Sequence, residues 1–225
     1  DAPADVDAAP SCGWPGPTSG LVAYYPFEEG QGTAVHDCTA NHLDGTFVQQ
    51  AAWTTGKKGG GIAVTSTAGC VDLGAPSQFQ LSTFTVTAWL QITALPSAGA
   101  SGYVVGQAIN ADTSGWRVGT IQTDAGILQW DHTVSGTHYR LNAAAPPLAT
   151  WHAMAMVFVP GGTTALYLDG ALAASGTAFP AIAYDGADMR IGCRSDGNNS
   201  FDGLLDEVRL YDRALTSSEI TSLAQ

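Results

Sequence analysis

Apolar residues recur at every second position over long parts of this chain. Leu21, Ala23, Tyr25 and Phe27 alternate with Val22, Tyr24 and Pro26, and Phe84, Val86, Ala88, Leu90 and Ile92 alternate with Thr85, Thr87, Trp89 and Gln91. A side-chain period of two belongs to strands that turn one face to a core. Residues 151–159 (WHAMAMVFV) are apolar on both faces and predict a central strand, followed by a Pro160-Gly161-Gly162 turn. In ALYLDGALAAS, Asp169-Gly170 divides two apolar runs. That predicts a hairpin, because a type I′ turn needs positive φ at both central residues. One short helix is expected near the end, where Thr216-Ser217-Ser218-Glu219 has capping-box spacing ahead of Ile220 and Leu223.

The composition agrees with many short strands joined by tight turns: 27 Gly residues, 45% hydrophobic and only 12% charged. A length of 225 residues suits one β-sandwich core, and no internal repeat divides it. Residues 1–19 are rich in Pro, Ala and Asp and read as an extended extracellular linker ahead of one domain over residues 20–225. The net charge of -12 repels phosphate backbones and excludes nucleic acid as a natural partner. The surplus of carboxylates suits either solubility or a divalent cation such as calcium. No run of about 18 apolar residues predicts membrane insertion, and a monomer is expected. Cys12, Cys38, Cys70 and Cys193 are even in number, with no C-x-x-C pair. That favours disulfides and a secreted protein, or one tethered at the cell surface or in the periplasm. The four can pair in three ways, and the sequence does not choose; Cys12–Cys38 with Cys70–Cys193 is the preferred arrangement.

Several blocks then carry a resemblance: LVAYYPFEEGQGTAVHDCTANHLDGT, TTGKKGGGIAV with VDLG, FTVTAWLQI, WHAMAMVF, LYLDGALAAS and FDGLLDEVRLYDRALTSSEITSL. Together they resemble the laminin-G-like, concanavalin A-type jelly roll in its bacterial, pentraxin-related branch. The resemblance implies an all-β fold of two antiparallel sheets packed face to face, with a concave surface and ligand-holding loops. It is far less specific for function, since that sandwich hosts carbohydrate-binding modules, adhesion domains, spacers and some glycanases. Cys38, Cys70 and Cys193 depart from the usual pattern and suggest extra crosslinking.

In LLDEVRLYDR a regular strand would put Leu204, Asp206, Val208 and Leu210 on one face, leaving a carboxylate among aliphatics. Such a group needs a hydrogen bond, an ion pair or a metal. The resemblance implies a structural calcium between an early loop and this late strand, with Asp37, Asn41, Asp44 and Asp206 as ligands. The alternative is an Asx-turn loop and an Asp206 paired to Arg209 or Arg213.

Sugar recognition needs aromatic faces flanked by planar polar groups. Trp89 faces away from the Phe84/Val86/Ala88 side of its strand. Trp116, Arg117, Trp130, His132, Tyr139 and Arg140 gather between residues 103 and 140, where variable loops are expected, and Asn198 lies in the polar loop RSDGNNS. These eight are the candidate ligand-binding residues.

Catalysis finds little support. Retaining glycosidases need two carboxyl groups about 5–5.5 Å apart, and no E-x-D-x-x-E run is present; Glu28-Glu29 and Asp206-Glu207 are neighbours that point to opposite faces. G-x-S-x-G and H-E-x-x-H are absent. The expectation is a non-catalytic module for a glycan or a cell-surface protein. A structural spacer and a glycoside hydrolase stand as alternatives.

Overall fold

The computed structural model describes residues 12, 16–65, 69–98, 100–109, 114–121 and 126–225. Most of the expected linker lies outside these residues. The described chain runs through β1 (Leu21–Tyr25), β2 (Ala34–Val35), β3 (Gly45–Val48), β4 (Ala52–Thr55), β5 (Gly60–Val64) and β6 (Cys70–Asp72). It continues through β7 (Phe84–Ile92), β8 (Ser101–Gln107), β9 (Trp116–Ile121), β10 (Ile127–Val134) and β11 (Thr137–Ala144). The remaining elements are β12 (Trp151–Phe158), β13 (Thr163–Leu168), β14 (Ala171–Thr177), β15 (Met189–Ile191), β16 (Gly203–Tyr211) and the helix α1 (Ser217–Leu223). One sheet has the order β14-β13-β12-β7-β16-β5-β4, with β1 also paired to β16. The other has the order β11-β10-β9-β8-β15-β6-β3-β2. Neighbouring strands are antiparallel, and the two sheets form the sandwich of a jelly roll.

The alternation read from the sequence places the core. Phe84, Val86, Ala88, Leu90 and Ile92 of β7 face the second sheet, as do Met154, Met156 and Phe158 of β12. Trp116 and Trp130 reach them from the other side. Phe84 lies 4.9 Å from Trp116 and 5.9 Å from Trp130, and Phe158 lies 5.6 Å from Trp130. Tilted and edge-on pairs of this kind add about 0.5–1.5 kcal/mol each beyond the area they bury.

The punctuation also follows. Asp169 (φ 51°) and Gly170 (φ 79°) turn β13 into β14, and Asp169 Oδ1 accepts from the Ala153 N–H at 2.9 Å. Thr216 and Glu219 cap α1 reciprocally, and Ile220 and Leu223 pack on Ala155, Val157, Tyr211 and Leu215 outside the first sheet. The disulfides are Cys12–Cys38 and Cys70–Cys193, with Cα–Cα distances of 5.5 and 5.6 Å.

Two expectations are corrected. The stretch from 103 to 140 is dominated by strands rather than variable loops, since β8 to β11 form one end of the second sheet. Nor do Leu204, Asp206, Val208 and Leu210 share a face. The pairing of β16 with β7 shifts between Asp206 and Arg209, and Glu207 sits at φ 55°. This bulge puts Leu205, Val208 and Leu210 in the core and Asp206 on the opposite side, across from Trp89. Its extra residue is held by charge: Glu207 accepts from the Tyr24 hydroxyl at 2.9 Å and from Arg209 Nη2 at 2.6 Å.

Candidate functional site

The outer face of the second sheet carries a polar groove built by strand register. Asp131 on β10 stands opposite Arg117 on β9 and Arg140 on β11, so three charged side chains form a row across three strands. The next row holds Tyr103, Gly119, Gln129 and Asn142. Inward residues alternate with these, which is why Trp116, Val118, Leu128, Trp130 and Leu141 belong to the core while their neighbours do not.

Asp131, only 2% exposed, organises the groove. Its Oδ2 accepts from Arg117 Nη2 and from Arg140 Nε, each at 3.1 Å, and its two oxygens lie 3.0 and 3.1 Å from His138 Nδ1. Arg117 Nη2 also donates to Gln129 Oε1 at 2.7 Å, and Gln129 Nε2 donates to Asn142 Oδ1 at 2.8 Å. Arg117 sits 5.3 Å above the ring of Tyr103, whose phenol is pushed up to about 12 by burial. At the other rim Asn199 Nδ2 donates to Ser101 Oγ at 3.0 Å, and Arg194 Nε donates to Asp196 at 2.9 Å. The groove encloses about 390 Å³, within the roughly 300–1,000 Å³ common for small-ligand sites.

Of the eight candidate ligand residues, only Arg117 and Arg140 line this groove. Trp116 and Trp130 are buried in the core with rings 5.5 Å apart, so neither offers a stacking face. His132 faces inward as well, donating from Nε2 to the Pro180 carbonyl at 3.1 Å, and burial lowers its pKa. Tyr139 stacks on His132 at 5.1 Å and leans against Phe179. Trp89 points outward as expected, but from the other sheet; the residue is only 6% exposed, with the Lys57 ammonium 4.5 Å from its ring. Asn198 is exposed in a turn, where its N–H and Nδ2 donate to Asp196. Gln129, Asp131, Asn142 and Arg194 were not among the expected residues. The signal for the first two was present in LQWDH, where polar residues alternate with Leu128, Trp130 and His132.

Residues 65–221 match the model of the concanavalin A-like lectin/glucanases superfamily. The chain belongs to that superfamily. A stretch of 150 residues is 29% identical to adhesion G-protein coupled receptor V1 of Danio rerio, covering 64% of this chain and 2% of the receptor. Among solved structures, domain 4 of AbnA, a GH43 extracellular arabinanase from Geobacillus stearothermophilus, is similar in complex with arabinotriose. It has a TM-score of 0.71 and 23% identity, over 91% of this chain and 98% of that one. The binding domain of Paraclostridial Mosquitocidal Protein 1 is similar at a TM-score of 0.71 and 18% identity, over 91% of this chain and 52% of that one.

The candidate metal ligands of this concanavalin A-like chain fall into two places. Asp37 accepts four hydrogen bonds: from the Tyr24 and Thr39 N–H groups at Oδ1, each 2.9 Å, and from Thr39 Oγ1 (2.7 Å) and the Leu43 N–H (3.0 Å) at Oδ2. Asp44 Oδ1 accepts from the Asp37 N–H at 2.8 Å, and Asn41 Nδ2 donates to the Val22 carbonyl at 2.8 Å. These three hold an early loop against β1 by hydrogen bonding. Asp206 lies elsewhere: Oδ2 accepts from the Lys58 N–H at 2.9 Å and Oδ1 is buried without a partner. Burial pushes its carboxyl up to about 7. Arg209 and Arg213 do not pair with it; they bind Glu207 and Glu219, each at 2.6 Å. Among the described residues no group of three or more His, Cys, Asp or Glu side chains is arranged to hold a metal.

Proposed function

We propose that this domain is a non-catalytic, exported binding module that takes an oligosaccharide in the groove over β8 to β11. The observation that carries the reading is a set of planar polar groups around an open depression: Arg117, Gln129, Asp131 and Arg140 on three adjacent strands, with Asn199 added from the loop between β15 and β16. Guanidinium, amide and carboxylate planes match vicinal hydroxyls, and their sheet-borne positions reduce the entropy lost on binding. Among the described residues that line the groove Asp131 is the one carboxylate, and Arg117, Arg140 and His138 hold it. Hydrolysis of a glycosidic bond by the usual route needs a second acid, which supports binding without cleavage. The similarity to an arabinanase domain bound to arabinotriose and to a toxin binding domain supports the same reading. Two disulfides support export.

Affinity electrophoresis against a polysaccharide panel tests it. Wild type and Leu172→Ala, on the far sheet, should be retained alike by at least one glycan. Arg140→Ala should lose a charge-assisted hydrogen bond of about 1.5–3 kcal/mol, a fall of roughly ten- to a hundredfold. A wild type retained by no glycan overturns the proposal.

A further inference from the structure

The charge balance of the groove narrows what it can hold. Three of the chain's eight Lys and Arg residues, Arg117, Arg140 and Arg194, line this one depression on a protein of net charge -12. Arg194 is matched by Asp196. Arg117 and Arg140 both depend on Asp131 Oδ2, at 3.1 Å each, so two guanidinium groups share one carboxylate. The deficit is visible atom by atom. Arg117 is 6% exposed, and while its Nη2 donates to Gln129 and Asp131, its Nε and Nη1 are buried without a partner. Arg140 commits only Nε to Asp131 and keeps a side chain that is 45% exposed. A charged donor kept from water without full pairing is costly, and a nearby anion relieves that cost through a short, poorly hydrated path.

We propose that the ligand is an acidic oligosaccharide, one whose sugar rings bear carboxylates, with Arg140 and Arg117 as its charge partners. This rests on the glycan reading above and specifies its chemistry. A guanidinium presents paired N–H groups at the spacing of carboxylate oxygens, which a neutral hydroxyl pair does not exploit to the same degree. Gln129 beside Arg117 and Asn199 on the opposite rim add amide groups to the lining for neighbouring hydroxyls. The net charge of -12 disfavours long polyanions, whereas a short anionic segment meets chiefly the positive charge of the groove.

The test uses immobilised oligogalacturonate, oligoguluronate, glucuronoxylan fragments and sialyllactose, each beside its methyl-esterified or carboxyl-reduced form, which removes the charge and keeps the ring. At least one acidic member should be retained, with its neutral form bound at least tenfold more weakly. Arg140→Gln should weaken the acidic ligand tenfold or more while the domain keeps a single cooperative urea transition, its midpoint lowered only by the lost contact to Asp131. Arg140→Lys, which keeps the charge without the fork, should recover part of the binding. Equal retention of acidic and neutral forms overturns the acidic preference and leaves the glycan reading standing. A sulfated oligosaccharide run in the same panel and preferred over every carboxylated one also overturns it. Failure of every glycan, charged or neutral, overturns both readings.

Discussion

Replacing Cys70 and Cys193 together by alanine should cost this fold about 5 kcal/mol. The bond joins residues 123 positions apart, and the chain entropy it removes from the unfolded state grows with the logarithm of that separation. For a loop of this length the stabilisation is about 5 kcal/mol at 25 °C, against about 3.5 kcal/mol for Cys12–Cys38, whose separation is 26. Both Cys70 and Cys193 are fully buried, so truncation also removes packed atoms. A total stability of about 5–15 kcal/mol leaves the double variant with little reserve. Urea denaturation followed by tryptophan fluorescence measures the effect. With a slope near 2 kcal/mol/M, the midpoint should fall by roughly 2.5 M. The Cys12→Ala/Cys38→Ala variant should lose less. A loss under about 1 kcal/mol, or the reverse order of the two variants, would refute the loop-length reasoning.

Asp206→Asn should flatten the pH dependence of stability. With a carboxyl raised from 3.8 to about 7, the native state keeps a proton that the unfolded chain releases, so wild-type stability falls as pH rises across that interval, by up to about 1.4 kcal/mol per unit. Urea midpoints at pH 5 and pH 8 check this, and the same slope in variant and wild type would remove the argument; a calcium-dependent gain in wild type alone would instead mark Asp206 as a cation ligand. Trp130→Ala should cost about 3–5 kcal/mol by thermal or urea unfolding, and the indole of the wild type should not be quenched by sugars, because its ring belongs to the core.

The fold was legible where local chemistry and period agree. The strand at Phe84, the Asp169-Gly170 turn and the Thr216 cap each depend on residues within a few positions of one another. The site was harder to read for two physical reasons. A β-bulge is set by distant partners: Glu207 takes up its left-handed backbone against Tyr24, 183 residues away, and nothing local to LLDEV announces it. Aromatic residues are also ambiguous, since an indole fits a sugar face and a sandwich core equally well. Trp116 and Trp130 pack inside because Phe84 and Phe158 stand across from them, which only the pairing of distant strands reveals. The alternation within WRVG and LQWDH did hold the answer in compressed form. Once one set of side chains is assigned to the interior, Arg117, Gln129 and Asp131 must emerge together on the other side.

On β10, Asp131 is flanked by Trp130 and His132, whose rings are wedged between the layers. Each charged group at the surface is thus one peptide bond from an immobile anchor. A receptor mounted this way has no freedom to remould itself around an imperfect guest, so it should behave as a strict discriminator, rejecting near-matches rather than tolerating them at reduced strength.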